Sequence, residues 1–332
     1  MKIQTLGWLI GFTALASSGS ILACSQATLV CQAGHAGSGS AFAAKYFPVG
    51  TPGTTCVLPG DEIGFETYHP KGGGDDGQQP DFAIPSIVAL QTTAMGVMIQ
   101  TKDGVGSTDP ARFNVENADG THTLAKDPPY ALGTFAGVEP DADGFCVMAT
   151  PAPAVQNFPA VPVHPPDPMA MPPDPGAPAV PAEAVKYEWT NVKVYVTASA
   201  QGTQFSGHLK YTDDTCSAEY NVAGLWPSIP CNNVVEDGKD AMGNKKFKVV
   251  AEPAFCCPSA DPLGHLARIS GSGINPDFPM KCERIMPADP DPANNEGGFR
   301  CVLDVADPAK LPALNPGWDA NVAACKVTEA AQ

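Results

Sequence analysis

Eleven cysteines are the main chemical resource of this 332-residue chain, at positions 24, 31, 56, 146, 216, 231, 256, 257, 282, 301 and 325. An odd number in an exported protein leaves one sulfur without a partner. Cys24 closes the stretch "ILAC", which reads as a bacterial lipobox, although Leu22 stands where a smaller residue is usual. Acylation of Cys24 leaves ten sulfurs for five disulfides: Cys31, Cys56, Cys146, Cys216, Cys231, Cys256, Cys257, Cys282, Cys301 and Cys325. An oxidising compartment makes pairing their default fate. Cys216 and Cys231 are the most plausible local pair. The adjacent Cys256 and Cys257 are expected to bond different, distant cysteines, because successive side chains in extended backbone point opposite ways.

Other chemistry is thinner. "EPDADG" alternates carboxylates before a glycine as a calcium loop begins, making Glu139, Asp141 and Asp143 candidate calcium ligands, but Thr150 stands where the closing bidentate Glu belongs. A solvated turn is the plainer reading of such an acidic loop. His164, Met169 and Met171 in the proline-rich run form a soft-ligand set suited to Cu(I), and a spacer is the plainer reading. No C-x-x-C, H-E-x-x-H, G-x-S-x-G or Walker motif occurs. No catalytic residues are assigned, and no cofactor is expected beyond the candidate calcium.

The leader must deliver these sulfurs. Lys2 is followed by an apolar run at Leu6–Ala16 and then small residues, the pattern of a signal peptide over residues 1–23. The run is too short to span a bilayer, for which about 20 residues are needed. Cleavage after Ala27, at "SQA", is the rival to the lipobox. Residues 24–40 then read as a lipidated N-terminus and flexible tether, with several acyl chains giving lasting anchorage.

From Pro151 to Pro181, 12 of 31 residues are proline, which favours polyproline II over ladders. Residues 149–184 are therefore an insertion or linker between β-rich lobes at 41–148 and 185–332. Excluding Cys24, three cysteines precede the run and seven follow it, so full pairing requires at least one disulfide between the lobes, which favours a single stapled body with the run looping out. "VKYEWTNVKVYVTASA", "QFSGHLKYT" and "CSAEYNVAGLWP" predict a three-stranded meander turning at "QGT" and "DDT". Val192, Val194 and Val196 should face one side, with Lys193 and Tyr195 on the other. Shorter strands are expected at 41–47, 61–69, 86–91, 144–150, 244–252 and 298–306. A helix is expected after Thr92, its N-cap, stopping at Gly104. The fold class is mainly β: a disulfide-stapled antiparallel sheet or sandwich-like body with one or two short helices.

The formal net charge of −16 argues against a nucleic-acid partner, since phosphate contacts need a basic face. It also argues against electrostatic docking on anionic lipid, leaving membrane contact to the N-terminal lipid.

"VYVTASAQGTQFSGHLKYTDDTCSAEYNVAGLWPSIPC", "PDADGFC" and "GSGINPDFPMKC" resemble cysteine-containing secreted lipoproteins of myxobacterial type that have no known activity. The resemblance implies export, lipidation and a disulfide-bonded β-rich fold, and transfers no catalytic residue. The expectation is an outer-membrane lipoprotein, facing periplasm or cell surface, that works as a structural or binding module for an envelope or extracellular protein or glycan. A calcium-stabilised binding domain and an exported hydrolase without a recognisable motif are the alternatives.

Overall fold

The computed structural model describes residues 28–34, 41–53, 56–70, 81–102, 115–116, 122–123, 127–160, 181–239, 241–258, 272–286, 298–316 and 325, with scattered positions between 163 and 179. Cys24, the leader and Gly104 lie outside these.

The chain runs β1 (Phe42–Pro48), β2 (Gly60–Tyr68), β3 (Ile87–Thr92), α1 (Thr93–Lys102), the two-residue strands β4 (Val115–Glu116) and β5 (His122–Thr123), β6 (Ala131–Thr134), β7 (Phe145–Val147), β8 (Ala154–Phe158), β9 (Glu183–Val196), β10 (Gln201–Asp213), β11 (Ser217–Leu225), β12 (Asn232–Lys239), β13 (Lys245–Ala251), β14 (Met280–Arg284) and β15 (Phe299–Leu303). Nine strands form one antiparallel sheet in the order β6-β3-β2-β1-β11-β10-β9-β7, with β8 also pairing β9.

The two ends of that sheet meet. Leu132 in β6 bridges Ala152 and Phe135 bridges Met148. Backbone bonds Ala152 N to Leu132 O, Ala149 N to Thr134 O and Ala136 N to Val147 O, each 2.8 Å, close the seam. Residues 145–158 thus act as one bent stave between β6 and β9, and the sheet closes into an eight-stave up-and-down barrel. The sandwich-like layering expected from the sequence is replaced by one curled sheet, because each stave finds its sequence neighbour on one side and closure removes the exposed edges.

Curling explains the core. Phe65 on β2 and Phe205 on β10 are three strands apart in sheet order, about 14 Å in a flat sheet. Their ring centroids lie 5.4 Å apart, and Phe42 and Trp189 pack onto the same Phe205 ring. Gly224 is paired directly opposite Phe205, and a Cβ there would lie 1.9 Å from a ring carbon, so the aromatic ring occupies the room that glycine leaves.

The meander appears as expected, with two adjustments. The β9–β10 turn falls at Thr197–Ala200 instead of "QGT", closed by reciprocal backbone bonds between Thr197 and Ala200. In β9 the buried residues are first Val185, Tyr187 and Trp189, then Val192, Val194 and Val196. Asn191, with φ 52°, sits at the register shift where the buried face changes from odd to even positions. A β-bulge at a residue tolerant of left-handed backbone produces this change of phase. The three valines share the inner core, while Tyr195 joins a second cluster on the outside. At the start of α1, Thr92 Oγ1 accepts from Met95 N as the expected cap.

β1 pairs β11, so strands from both sides of the proline run share one sheet. The run itself is a hairpin loop: Phe158 pairs Glu183 and Ala154 pairs Tyr187. Residues 154–158, between Pro153 and Pro159, contain no proline and so keep the amide donors that β8 needs. Likewise, the described part of the expected tether is held on the body. Cys31 is buried and its amide donates to Val138 O, while Gly34 N donates to Gly202 O.

Residues beyond Leu225 build a module on the barrel's outer wall. The β12–β13 and β14–β15 hairpins, with 3-10 turns at Pro253–Cys256 and Pro308–Lys310, pack Ile274, Phe278, Met280 and Leu303 against Ala223, Leu225, Phe145 and Tyr195. Two ion pairs clamp it: Arg300 Nε to Glu62 Oε1 at 2.6 Å and Lys45 Nζ to Glu283 Oε2 at 2.5 Å. Burial raises the Glu283 carboxyl, but hydrogen bonds from Lys45 and Lys281 outweigh it, so the net shift is downward.

Candidate functional site

Ten cysteines form five disulfides: Cys31–Cys146, Cys56–Cys216, Cys231–Cys282, Cys256–Cys301 and Cys257–Cys325. Cys256 and Cys257 do bond separate partners, and Cys56–Cys216 spans the proline run. The expected Cys216–Cys231 bond is not formed. Closure places the β1–β2 connection beside the β10–β11 turn, so Cys216 meets Cys56, while Cys231 has already left the barrel for the outer module. Three disulfides crowd that module, and Sγ of Cys231, Cys256 and Cys301 all lie within 4.8 Å of one another. Among the described residues this is where potential metal ligands converge, but each sulfur is held in a disulfide and so is not a free thiolate.

The candidate calcium residues lie in the turn before β7. Asp141 Oδ1 accepts from Asp143 N at 3.0 Å and Phe145 N at 2.8 Å, so one carboxylate oxygen is engaged in the turn itself. Glu139, Asp141 and Asp143 are exposed. Met169 and Met171 are exposed as well, at 88% and 97%, and His164 lies outside the described residues.

A buried carboxyl, which no sequence motif marks, lies inside the barrel. Asp61, 5% exposed, shares the inner face of β2 with Ile63 and Phe65. Its Oδ2 accepts from Ala94 N in the first turn of α1 at 3.1 Å, and its Oδ1 from Glu62 N at 2.7 Å. Burial pushes its pKa up to about 7, with those two backbone donors opposing the rise. Tyr46 and Tyr187 crowd the same end, and burial raises both phenols. Tyr46 Oη has no hydrogen-bond partner among the described residues. Tyr220 Oη, by contrast, donates to Cys56 O and accepts from Leu58 N. The signal for Asp61 was present in "DEIGFET", where a carboxylate occupies the inward phase of an alternating strand.

Among the described residues one serine–histidine pair occurs, Ser86 Oγ to His69 Nδ1 at 2.7 Å. Ser86 is only 2% exposed, and the His69 ring packs edge-on against Phe82. Among the described residues no carboxylate orients the other ring nitrogen, so the nucleophile–base–orienter arrangement of hydrolases is not assembled. Among the described residues, one shallow depression is lined by Ser199, Thr203, Trp226, Ile274, Asn275 and Asp277, at the junction of barrel and outer module.

These features define a class: a disulfide-stapled antiparallel β-barrel, filled by its own aromatic side chains and braced from outside by a cystine-rich module. The chain belongs to the MlpA family, whose family model matches residues 40–227. That span covers the barrel staves, including both sides of the proline loop. The chain is 33% identical over 156 residues to a Myxococcus xanthus protein named "Putative lipoprotein MlpA", covering 43% of this chain and 58% of that relative's length. No solved structure matches. Among the described residues no helix is long and apolar enough to cross a membrane.

Proposed function

We propose that this protein is a bacterial cell-envelope lipoprotein, held on the outer membrane by acyl chains at Cys24 and serving as a structural or binding module for an envelope or extracellular protein or glycan. Family membership carries the reading, together with the lipobox-like "ILAC" at the end of the leader. The barrel interior is occupied by Phe42, Phe65, Trp189 and Phe205, and the depressions on its surface are shallow, which suits recognition by an outer surface better than turnover in a cleft.

The Cys31–Cys146 bond adds an orientation. Cys31 lies seven positions after Cys24, so a lipidated Cys24 reaches at most about 25 Å from that bond. The barrel end carrying Cys31, Cys146 and Val138 then lies close to the bilayer.

Intact mass of the purified mature protein tests this. The expected product begins at Cys24, carries diacylglyceryl and amide-linked acyl mass, and takes up no alkylating reagent without prior reduction. A chain beginning at Thr28 without lipid would overturn the anchorage, and several free thiols would overturn the stapled body.

A further inference from the structure

Four of the module's sulfurs sit where two hairpins meet. Cys231 immediately precedes β12 and Cys256 lies five residues after β13, so these two flank the β12–β13 arm. Cys282 and Cys301 face each other directly across the β14–β15 ladder. The existing bonds, Cys231–Cys282 and Cys256–Cys301, run from one hairpin to the other. The alternative pairing, Cys231–Cys256 with Cys282–Cys301, would close each hairpin on itself. Sγ of Cys231 lies within 4.8 Å of both Cys256 and Cys301 Sγ, so the second pairing is reachable by small side-chain movements.

We propose that these four sulfurs form a thiol-exchange site, entered at Cys282, that converts bonding between the hairpins into bonding within each. The trigger is a thiolate from solution. Cys282 is partly exposed, whereas Cys231, Cys256 and Cys301 are no more than 1% exposed, so attack falls on Cys282 Sγ. A bond forms between the incoming sulfur and Cys282, and the Cys231–Cys282 bond breaks, releasing Cys231 thiolate. That thiolate attacks Cys256 Sγ, forming Cys231–Cys256 and expelling Cys301 thiolate. Cys301 then attacks Cys282 across the ladder, forming Cys282–Cys301 and returning the incoming thiolate. Two disulfides enter and two leave, so no oxidant or reductant is consumed.

The consequence is mechanical. With bonds between hairpins, the arm base is bolted to β14–β15, which Arg300 and Glu283 hold on the barrel. With bonds within hairpins, the covalent link from arm to barrel-bound hairpin is gone, and the arm is retained by packing and by the Cys231 amide bond to Phe299 O. The distal arm is exposed on both faces, including Phe247 at 51% and Met242 at 84%, so little packing opposes its movement.

The test is disulfide mapping of the full mature protein after deaerated incubation with 2-mercaptoethanol and acid quenching. Peptides linking Cys231 to Cys256 and Cys282 to Cys301 should appear, while Cys31–Cys146, Cys56–Cys216 and Cys257–Cys325 persist. Absence of the new links, or equal scrambling of all ten cysteines, would overturn the proposal. Cys282→Ser provides a second arm that needs no added thiol. Its stranded thiol should migrate, so that alkylation marks Cys231, Cys256 and Cys301 in one preparation; label confined to Cys231 would show that no exchange occurs. Should that variant fold poorly, mapping of the unaltered protein decides alone.

Discussion

The side chain of Gln204 holds the backbone of Ala313 as a neighbouring strand would, its Nε2 donating to the Ala313 carbonyl at 3.0 Å and its Oε1 accepting from the Ala313 amide at 3.1 Å. Gln204 is fully buried, and 109 residues separate the two. A β10 side chain thus fixes the C-terminal segment onto the barrel and satisfies two backbone groups that would otherwise be buried without partners. Gln204→Leu should strand both, at about 1–3 kcal/mol for each unsatisfied group. Urea unfolding should report a loss of about 2–6 kcal/mol on that reasoning, and hydrogen exchange should quicken first around Leu311–Ala313. A loss below the error of the fit would show that water replaces the bonds.

Asp61 sets the pH response. Its carboxyl ionises at about 7 in the folded barrel against 3.8 as a free group, because burial disfavours the charge more than the Ala94 and Glu62 amides favour it. Between those values the native state keeps a proton that the unfolded chain has released. Stability from this group is therefore full below pH 4 and is lost as pH rises through 7, at about 1.4 kcal/mol per pH unit within the window. Asp61→Asn removes the titration. Melting temperatures measured from pH 4.5 to 8 should fall more steeply for the native sequence than for the variant; parallel curves would assign the pH dependence elsewhere.

Gly224 answers to shape instead of charge. The Phe205 ring lies over it, and the same ring packs against Phe42, Phe65 and Trp189. Gly224→Ala must push this ring into a filled core, where overpacking costs about 1–3 kcal/mol. Chemical denaturation should show that loss, and near-ultraviolet circular dichroism should report the displaced aromatics. Gly53, with open space around its Cβ position, is the matched control: Gly53→Ala should leave both signals unchanged.

What could be read from the sequence depended on how local the cause was. The meander from β9 to β11 was legible because long runs of valine, tyrosine and threonine alternate between polar turns, and the Thr92 cap because it needs only its own helix. The strands β12 and β14 went unseen: the first is largely exposed and charged, the second short, so neither carries a strong period. Strand β8 was hidden by the prolines around it. The Cys56–Cys216 bond depends on β1 lying beside β11, a consequence of closure that no spacing encodes. Asp61 was legible in part, since its inward phase follows from Ile63 and Phe65, but its contact with the start of α1 is tertiary.

The proline loop offers a test of closure itself. Phe158 and Glu183 are paired, so the 24 residues between them begin and end at adjacent positions of one hairpin. Replacing residues 160–181 with a short Asn-Gly turn leaves every pair from Phe158–Glu183 to Ala154–Tyr187 available. Shortening the loop to about four residues lowers the closure cost by about 1.6 kcal/mol, since that cost grows as the logarithm of loop length. Thermal unfolding should therefore remain one cooperative transition, with a melting temperature equal to or slightly above that of the native chain. Deleting Ala154–Phe158 as well removes the β8 part of the 145–158 stave, together with the Val155 amide bond to Pro128 O, and exposes the inner face of β9 at Tyr187. That second deletion should destabilise the barrel severely. A first deletion as damaging as the second would mean that the loop itself holds the staves together, contrary to the pairing that joins its two ends.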